Sequence, residues 1–232
     1  PVWDTGIAAH ALCEAGLDHH HPALRSCSAW LVTHEYAPPR HGHFSARAYG
    51  SWAFEYNNPF FPDTDDTAMV AMSLTRIGTP EGREAAKRGV RWLLAMQNAN
   101  GGWAAFDQTT PRPILEHVPF ADHNAIQDPS CPDITGRVLE SLGHHGFRPD
   151  HPAVQHAIRY IVSTQEKDGA FFGRWGVNYI YGTFQVLVGL QSVGCDMSQP
   201  WVQRAGQWLL DHQQPDGSFG ETALSYEDPT LR

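Results

Sequence analysis

The sequence predicts an all-α protein, a double-layered array of helical pairs. Three observations predict it. Four segments of matching apolar pattern recur along the 232 residues. Three of them run into the same short turn signature, and a fourth copy of that turn is degenerate. Between the segments lie further stretches with apolar residues at helical spacing, while convincing strand alternation is lacking. An open solenoid and a closed α/α barrel both have this layout, and the pattern alone does not choose between them.

The recurring segments are Ala23-Leu24 to Trp30-Leu31, Ala85-Ala86 to Trp92-Leu93, Val154 to Tyr160-Ile161, and Val202 to Trp208-Leu209. Each ends in an aromatic residue followed by aliphatics. The turns read Gln97-x-x-x-Gly101-x-Trp103, Gln165-x-x-x-Gly169-x-Phe171 and Gln213-x-x-x-Gly217-x-Phe219, with Gly50-x-Trp52 as the degenerate copy. A helix ends near the Gln, Gly permits a tight left-handed turn, and the aromatic plugs back onto the helix end. The Gln side chain is placed to bond free backbone groups at a neighbouring helix terminus.

The alternate helices are expected at Thr5 to Gly16, Asp65 to Ile77, Asp133 to His144 and Tyr179 to Val193. Ser, Thr or Asp starts and Gly stops bracket most of them. Two longer irregular connections, near residues 36–62 and 107–132, are where functional residues tend to sit.

Composition narrows the function. A formal charge of −9, with the 16 Lys and Arg scattered, excludes the basic patch of a nucleic-acid binder. Cys13, Cys27, Cys131 and Cys195 form no CxxC pair, which fits reduced thiols better than zinc or a disulfide framework. The 14 His lack metalloprotease spacing, so no metal is expected. No apolar run approaches the roughly 20 residues of a membrane span, and no signal peptide is visible. Pro1-Val2-Trp3-Asp4 reads as mid-protein sequence, so a central piece of a longer chain is expected.

Phe60-Phe61-Pro62-Asp63-Thr64-Asp65-Asp66-Thr67-Ala68 is the sharpest feature. A plain structural reading is available. Asp caps helices well, carboxylates suit a helix N-terminus, and Asp63 and Asp66 resemble a capping box. The functional reading starts from crowding. Three carboxyl groups within four residues, if buried, cannot all ionise, so one proton is retained. A neutral carboxylic acid whose conjugate base is stabilised by a helix N-terminus is suited to protonating an alkene.

This acidic segment, with the repeated Gln…Gly…aromatic turns, resembles the class II triterpene cyclases, specifically squalene–hopene cyclases. Pro1-Val2-Trp3-Asp4-Thr5-Gly6, Asn100-Gly101-Gly102-Trp103, His117-Val118-Pro119-Phe120, Gly173-Arg174-Trp175-Gly176-Val177-Asn178-Tyr179 and Ser225-Tyr226-Glu227-Asp228-Pro229 carry the same resemblance. It runs end to end and implies that residues 1–232 are part of one α/α-barrel catalytic domain of a longer cyclase. By the resemblance, Asp65 is the general acid, assisted by Asp63 and Asp66. The substrate is a polyprenyl hydrocarbon such as squalene, cyclised without a cofactor to hopene-type products. Trp3, Phe54, Phe106, Phe120, Trp175 and Tyr181 match aromatic positions that hold carbocations against ring faces. Phe106 stands where the family often carries Tyr. The resemblance also implies a peripheral, monotopic protein on the cytoplasmic side of a membrane, with a homodimer among the expected assemblies.

One segment departs from the family. Where its members place a His four residues after an Asp, this chain reads Asp133-Ile134-Thr135-Gly136-Arg137. Arg137 is permanently cationic and offers a planar fork to a carboxylate. It is expected to bind Asp63 or Asp66 and leave Asp65 protonated. The departure puts the choice of squalene over related polyprenes in question. Two competing readings are a carbohydrate-active α/α-barrel enzyme, with separated acids in a wet cleft, and a non-catalytic helical array that binds a partner.

Overall fold

A computed structural model describes residues 1–36, 49–55, 61–108 and 127–232. Among these residues the chain forms eight α-helices: α1 (Val2–Glu14), α2 (Pro22–Thr33), α3 (Thr64–Ile77), α4 (Pro80–Ala95), α5 (Pro132–His144), α6 (Pro152–Thr164), α7 (Tyr179–Ser192) and α8 (Pro200–Asp211). Two single 3-10 turns, Ala223–Tyr226 and Pro229–Leu231, follow. Each helix falls on a segment marked by apolar periodicity. The chain divides into two compact units, Pro1–Met96 and Gln97–Arg232.

The helix starts are only partly those expected. Pro occupies the first turn of α2, α4, α5, α6 and α8, where its fixed φ suits the helix and its missing N–H costs nothing. Thr79 caps α4 by accepting from Gly82 N at 3.1 Å. The caps of α2 and α6 are histidines: Nδ1 of His21 and of His151 accept from Ala23 N and Ala153 N, each at 3.2 Å. His21, the last of the His19-His20-His21 stretch, thus serves as a helix cap. A neutral imidazole nitrogen two bonds beyond Cβ reaches the same amide that a carboxylate would.

In the first unit α1 and α3 lie side by side, with α2 and α4 behind them. The core joins Val2, Leu31, Trp52, Val70, Ala71, Leu74, Ala85 and Ala86. Helix α3 is buried along nearly its whole length. At the other end of the bundle, Ala9, Cys13, Leu24 and Ile77 close a second cluster. Trp52 fixes the entry to α3. Its indole Nε1 donates to Leu31 O at 2.8 Å, and its carbonyl accepts from Asp63 N at 2.7 Å in an isolated antiparallel bridge.

In the second unit α5 packs against α7, with α6 and α8 on their outer sides. The α5–α7 crossing is so tight that side chains have no room at its centre. A Cβ on Gly136 would sit 2.6 Å from the Gln185 carbonyl oxygen, and a Cβ on Gly189 would collide with the Gly136 carbonyl. Ile134, Val138, Leu139, Leu142, Val186 and Leu190 fill the space around the contact.

The repeated turns are built as joints. Gln97 Nε2 donates to Gly101 O at 2.8 Å and to Ala153 O, in the first turn of α6, at 2.9 Å. Gln165 Nε2 does the same to Gly169 O (2.9 Å) and to Trp201 O in α8 (2.8 Å). The neighbouring-helix partner is thus a backbone carbonyl in the first turn, to which the side-chain NH2 donates. Gly169 has a φ of +111°. A Cβ there would lie 2.8 Å from the Arg204 carbonyl of the next helix, so glycine is required both for the conformation and for the approach.

Each plugging aromatic is then clamped from the other layer. The backbone N–H groups of Trp52, Trp103 and Phe171 donate to the hydroxyls of Thr67, Thr135 and Thr183 at 3.0, 3.0 and 2.9 Å. Those threonines sit in the first turns of α3, α5 and α7. All three rings are fully buried. The fourth joint keeps its internal bond, Gln213 Nε2 to Gly217 O at 2.8 Å, but Phe219 is 48% exposed.

Two glycines on neighbouring helices should respond oppositely to one methyl group. Gly189→Ala, at the α5–α7 crossing, is expected to destabilise by about 1–3 kcal/mol or more. Gly206→Ala, in the middle of α8 with nothing within 4 Å of the added carbon, is expected to stabilise by about 0.5–1 kcal/mol. Urea denaturation midpoints check both, and equal shifts would contradict the crossing geometry.

Candidate active site

The acidic segment forms the start of α3. Asp63 is the N-cap, and one carboxylate oxygen accepts from Asp65 N at 2.7 Å and Asp66 N at 3.1 Å. The capping reading is correct for this residue. The reciprocal half of a capping box is not made, because the Asp63 N–H is already committed to the Trp52 carbonyl.

That leaves Asp66 pointing into the core rather than back along the chain. It is 2% exposed, and one of its carboxyl oxygens has no hydrogen-bond partner among the described residues. Burial pushes its pKa up to about 9, helped by the charges of Asp63 and Asp65. Burial and like charge thus favour the neutral form of the Asp66 carboxyl. Asp65 is half-buried beside it.

Trp3 lies half-buried in the first turn of α1, the helix that packs along α3. Phe54 follows Trp52 by two residues and is 51% exposed. Phe120 lies outside the described residues.

The second unit gathers the other candidates at the start of α5. Asp133 is buried in the first turn, and its Oδ2 accepts from Trp175 N at 2.7 Å. Burial raises its pKa; bonds from the Cys131 thiol and from the backbone of Trp175, Ile134 and Arg174 oppose the rise. Trp175 packs edge-on against Phe106, with ring centroids 5.5 Å apart. Phe106 is fixed in the same way, by a carboxylate on its backbone: Asp128 Oδ2 accepts from Phe106 N at 2.6 Å. The Asp128 pKa is also raised, chiefly by burial. Tyr181 stands behind this loop, with the Gly176 backbone lying on its ring. The Tyr226 hydroxyl reaches the Gly173 and Gly176 carbonyls at 2.8 and 2.9 Å.

Asp128 and Tyr226 are the residues that sequence reasoning missed. Asp128-Pro129 is a turn signal that could have marked the first. Tyr226 lies in a quoted motif, yet its partner is 53 residues away and no local pattern announces it. Arg137, one turn beyond Asp133, donates to Glu140 Oε2 at 2.8 Å, a partner the sequence reading did not name.

Similarity to known proteins bears on this arrangement. The family profile described as squalene-hopene cyclase C-terminal domain matches residues 1–232. A squalene–hopene cyclase of Bradyrhizobium diazoefficiens is 40% identical over 237 residues, covering 97% of this chain and 36% of its own length. That of Alicyclobacillus acidocaldarius is 40% identical over 236 residues, covering 99% and 37%. This chain therefore spans about a third of the curated relatives it matches. Among solved structures, the type II terpene cyclase MstE from Scytonema, as its R337A variant with geranylgeranyl dihydroxybenzoate, superposes with a TM-score of 0.68 at 21% identity. That likeness covers 97% of this chain and 58% of that one, and it identifies the all-helical α/α fold.

Asp66 makes stability depend on pH in a defined direction. Its carboxyl titrates at 3.8 in an ordinary environment and at about 9 in the fold. Between those values the folded state holds a proton that the unfolded state has released. Stability is thus full below the lower value and falls as pH rises towards the upper one. Asp66→Asn mimics the neutral form. It is expected to raise stability near neutral pH by at least about 1 kcal/mol and to flatten the decline. A denaturation midpoint equal to or below that of the unaltered chain at about pH 8 would mean that the folded carboxyl is ionised.

Proposed function

Since this chain belongs to the squalene–hopene cyclase family, we propose that it forms the proton-donating part of a class II terpene cyclase acting on squalene or a related polyprene. One observation carries the reading: the Asp66 carboxyl, fully buried and pushed by burial up to a pKa of about 9, stands at the start of a buried helix next to the more open Asp65. An alkene is a weak base, so its protonation needs an acid that is neutral at rest and a conjugate base that is stabilised afterwards.

Asp65 is the group proposed to present the proton, with Asp66 as the neighbouring store and Asp63 as the anchor of both backbones. When the new C–H bond forms at the terminal alkene, the π bond is lost and a tertiary cation remains on the substrate. The negative charge left on the acid sits at the amide end of α3, where the helix dipole favours it. The cation moves inward as each further double bond attacks it. Aromatic faces attract such a cation without offering a nucleophile. In the second unit Trp175 and Phe106 are rings of this kind, their backbones pinned by Asp133 and Asp128.

The same reading places the whole protein at a membrane surface, on the cytoplasmic side, because its substrate dissolves in lipid. Among the described residues no helix is long and apolar enough to cross a membrane, which suits a peripheral attachment.

The direct test carries this segment in a full-length cyclase, incubated with squalene and with shorter polyprenes, products being read by mass spectrometry. Cyclic products are expected, and Asp65→Asn should lower turnover by about 10²–10⁴-fold. Turnover of another polyprene but not squalene would move the substrate and keep the mechanism. A folded protein that cyclises no polyprene would end it.

A further inference from the structure

Trp175 stands in a short loop, residues 173–178, that runs into α7. The loop is folded back on the helix start. A Cβ on Gly173 would collide with the Asn178 carbonyl, and one on Gly176 with the Tyr181 ring. Asn178 is the N-cap residue of α7, and asparagine is among the best caps, yet its side chain makes no capping bond. It is turned to the loop instead. Its Oδ1 accepts from Gly173 N at 3.2 Å, and its Nδ2 donates to Ser225 Oγ at 3.3 Å. Asn178 and Ser225 are both completely buried.

The cap that Asn178 gives up comes from a later segment of the same unit. Glu221 Oε2 accepts from Asn178 N at 3.2 Å and from Ile180 N at 3.0 Å. The amide end of a helix favours a carboxylate. As a plain stabiliser the exchange is poor, because the other Glu221 oxygen is buried with no hydrogen-bond partner among the described residues. What the exchange gains is the loop. Asn178 holds Gly173, Tyr226 brings its hydroxyl to the Gly173 and Gly176 carbonyls, and Asp133 takes the Trp175 N–H. Without Glu221, the open amides of α7 would draw the Asn178 side chain back to its local role and release Gly173.

We propose that Glu221 is a positioning residue that sets product specificity: as the borrowed cap of α7 it frees Asn178 to hold the 173–178 loop, and through the loop it fixes the Trp175 ring. This rests on the reading of Trp175 as part of the wall that holds carbocations. The attraction of a cation to a ring falls away once the charge no longer faces it. A displaced ring leaves one cation of the cyclisation unsupported. That cation then loses a neighbouring proton to water, the C–H electrons close a double bond, and the remaining rings never form. Glu221 therefore governs where cyclisation stops, not whether it starts.

The test uses a full-length cyclase carrying this segment, given squalene or whichever polyprene it turns over. Products are quantified by mass spectrometry for the parent, Glu221→Ala, Glu221→Gln, Trp175→Leu and the double variant of Glu221→Ala with Trp175→Leu. Glu221→Ala should raise the share of incompletely cyclised products about threefold and lower kcat about threefold, with KM within about twofold. Trp175→Leu should accumulate the same products, and the double variant should add nothing to them, because Glu221 acts only through that ring. Glu221→Gln keeps an acceptor oxygen at the same reach and should restore the parent profile. Amide hydrogen exchange over residues 173–182 should quicken about tenfold in Glu221→Ala and stay at the parent rate in Glu221→Gln. An unchanged product profile in a folded Glu221→Ala protein, arrest at a different ring from Trp175→Leu, or a Glu221→Gln profile as altered as that of Glu221→Ala would each overturn the inference. If Glu221→Ala fails to fold, Glu221→Asp, which draws the carboxylate back by one CH2, is read in the same way. A folded parent that cyclises no polyprene ends the cyclase reading and this inference with it, whereas a cyclising parent with an unaffected Glu221→Ala removes only the role of Glu221.

Discussion

A plugging aromatic brings its own backbone into the interior, and a buried N–H must find an acceptor. In this chain the acceptor is a threonine hydroxyl in the first turn of the next inner helix, at Thr67, Thr135 and Thr183 in turn. That bond ties the end of one outer helix to the start of the following inner one. Thr67 is the residue after Asp66, and the Trp52 carbonyl takes the Asp63 N–H. The same joint that closes the first repeat therefore fixes where the acidic segment begins. It also decides that Asp63 caps the helix and Asp66 faces inward. Asp133 stands two residues before Thr135, so the second joint places the second acidic group by the same means.

Much of the fold was legible because each helix buries one face against a partner, which imposes an apolar period of about 3.6 residues. The joints were legible because only glycine tolerates both their backbone angle and their approach to the next helix. The histidine caps were not, since histidine is an uncommon cap and its role depends on a tautomer. The α5–α7 crossing was also hidden. Gly136, Gly143 and Gly189 look like weak points in a helix until the opposite backbone is placed against them.

The candidate site divides along the same line. The crowding of three carboxyl groups in four residues is local and was legible. The full burial of Asp66 was not, because it depends on which side chain the Trp52–Asp63 pairing turns inward. Asp128 and Asp133 hold Phe106 and Trp175 by bonds to backbone amides, and such bonds leave no trace in side-chain pattern. Glu140 reads as an ordinary surface partner for Arg137 at i,i+3, and only the fold reveals that Gln185 shares it.

The glutamine side chains and glycines of the joints meet the next outer helix at main-chain atoms. Gln97 and Gln165 donate to carbonyls, and Gly101 and Gly169 lie against carbonyls. What these two residue types recognise is the backbone of a helix, while Arg204 and Trp208 of α8 add side-chain bonds to Gln165 and Asp168. A lineage built this way can let its outer helices drift, or exchange one whole pair for another, without re-inventing the seam between them. Selection is then left free to act on the few inner-helix positions where the chemistry resides.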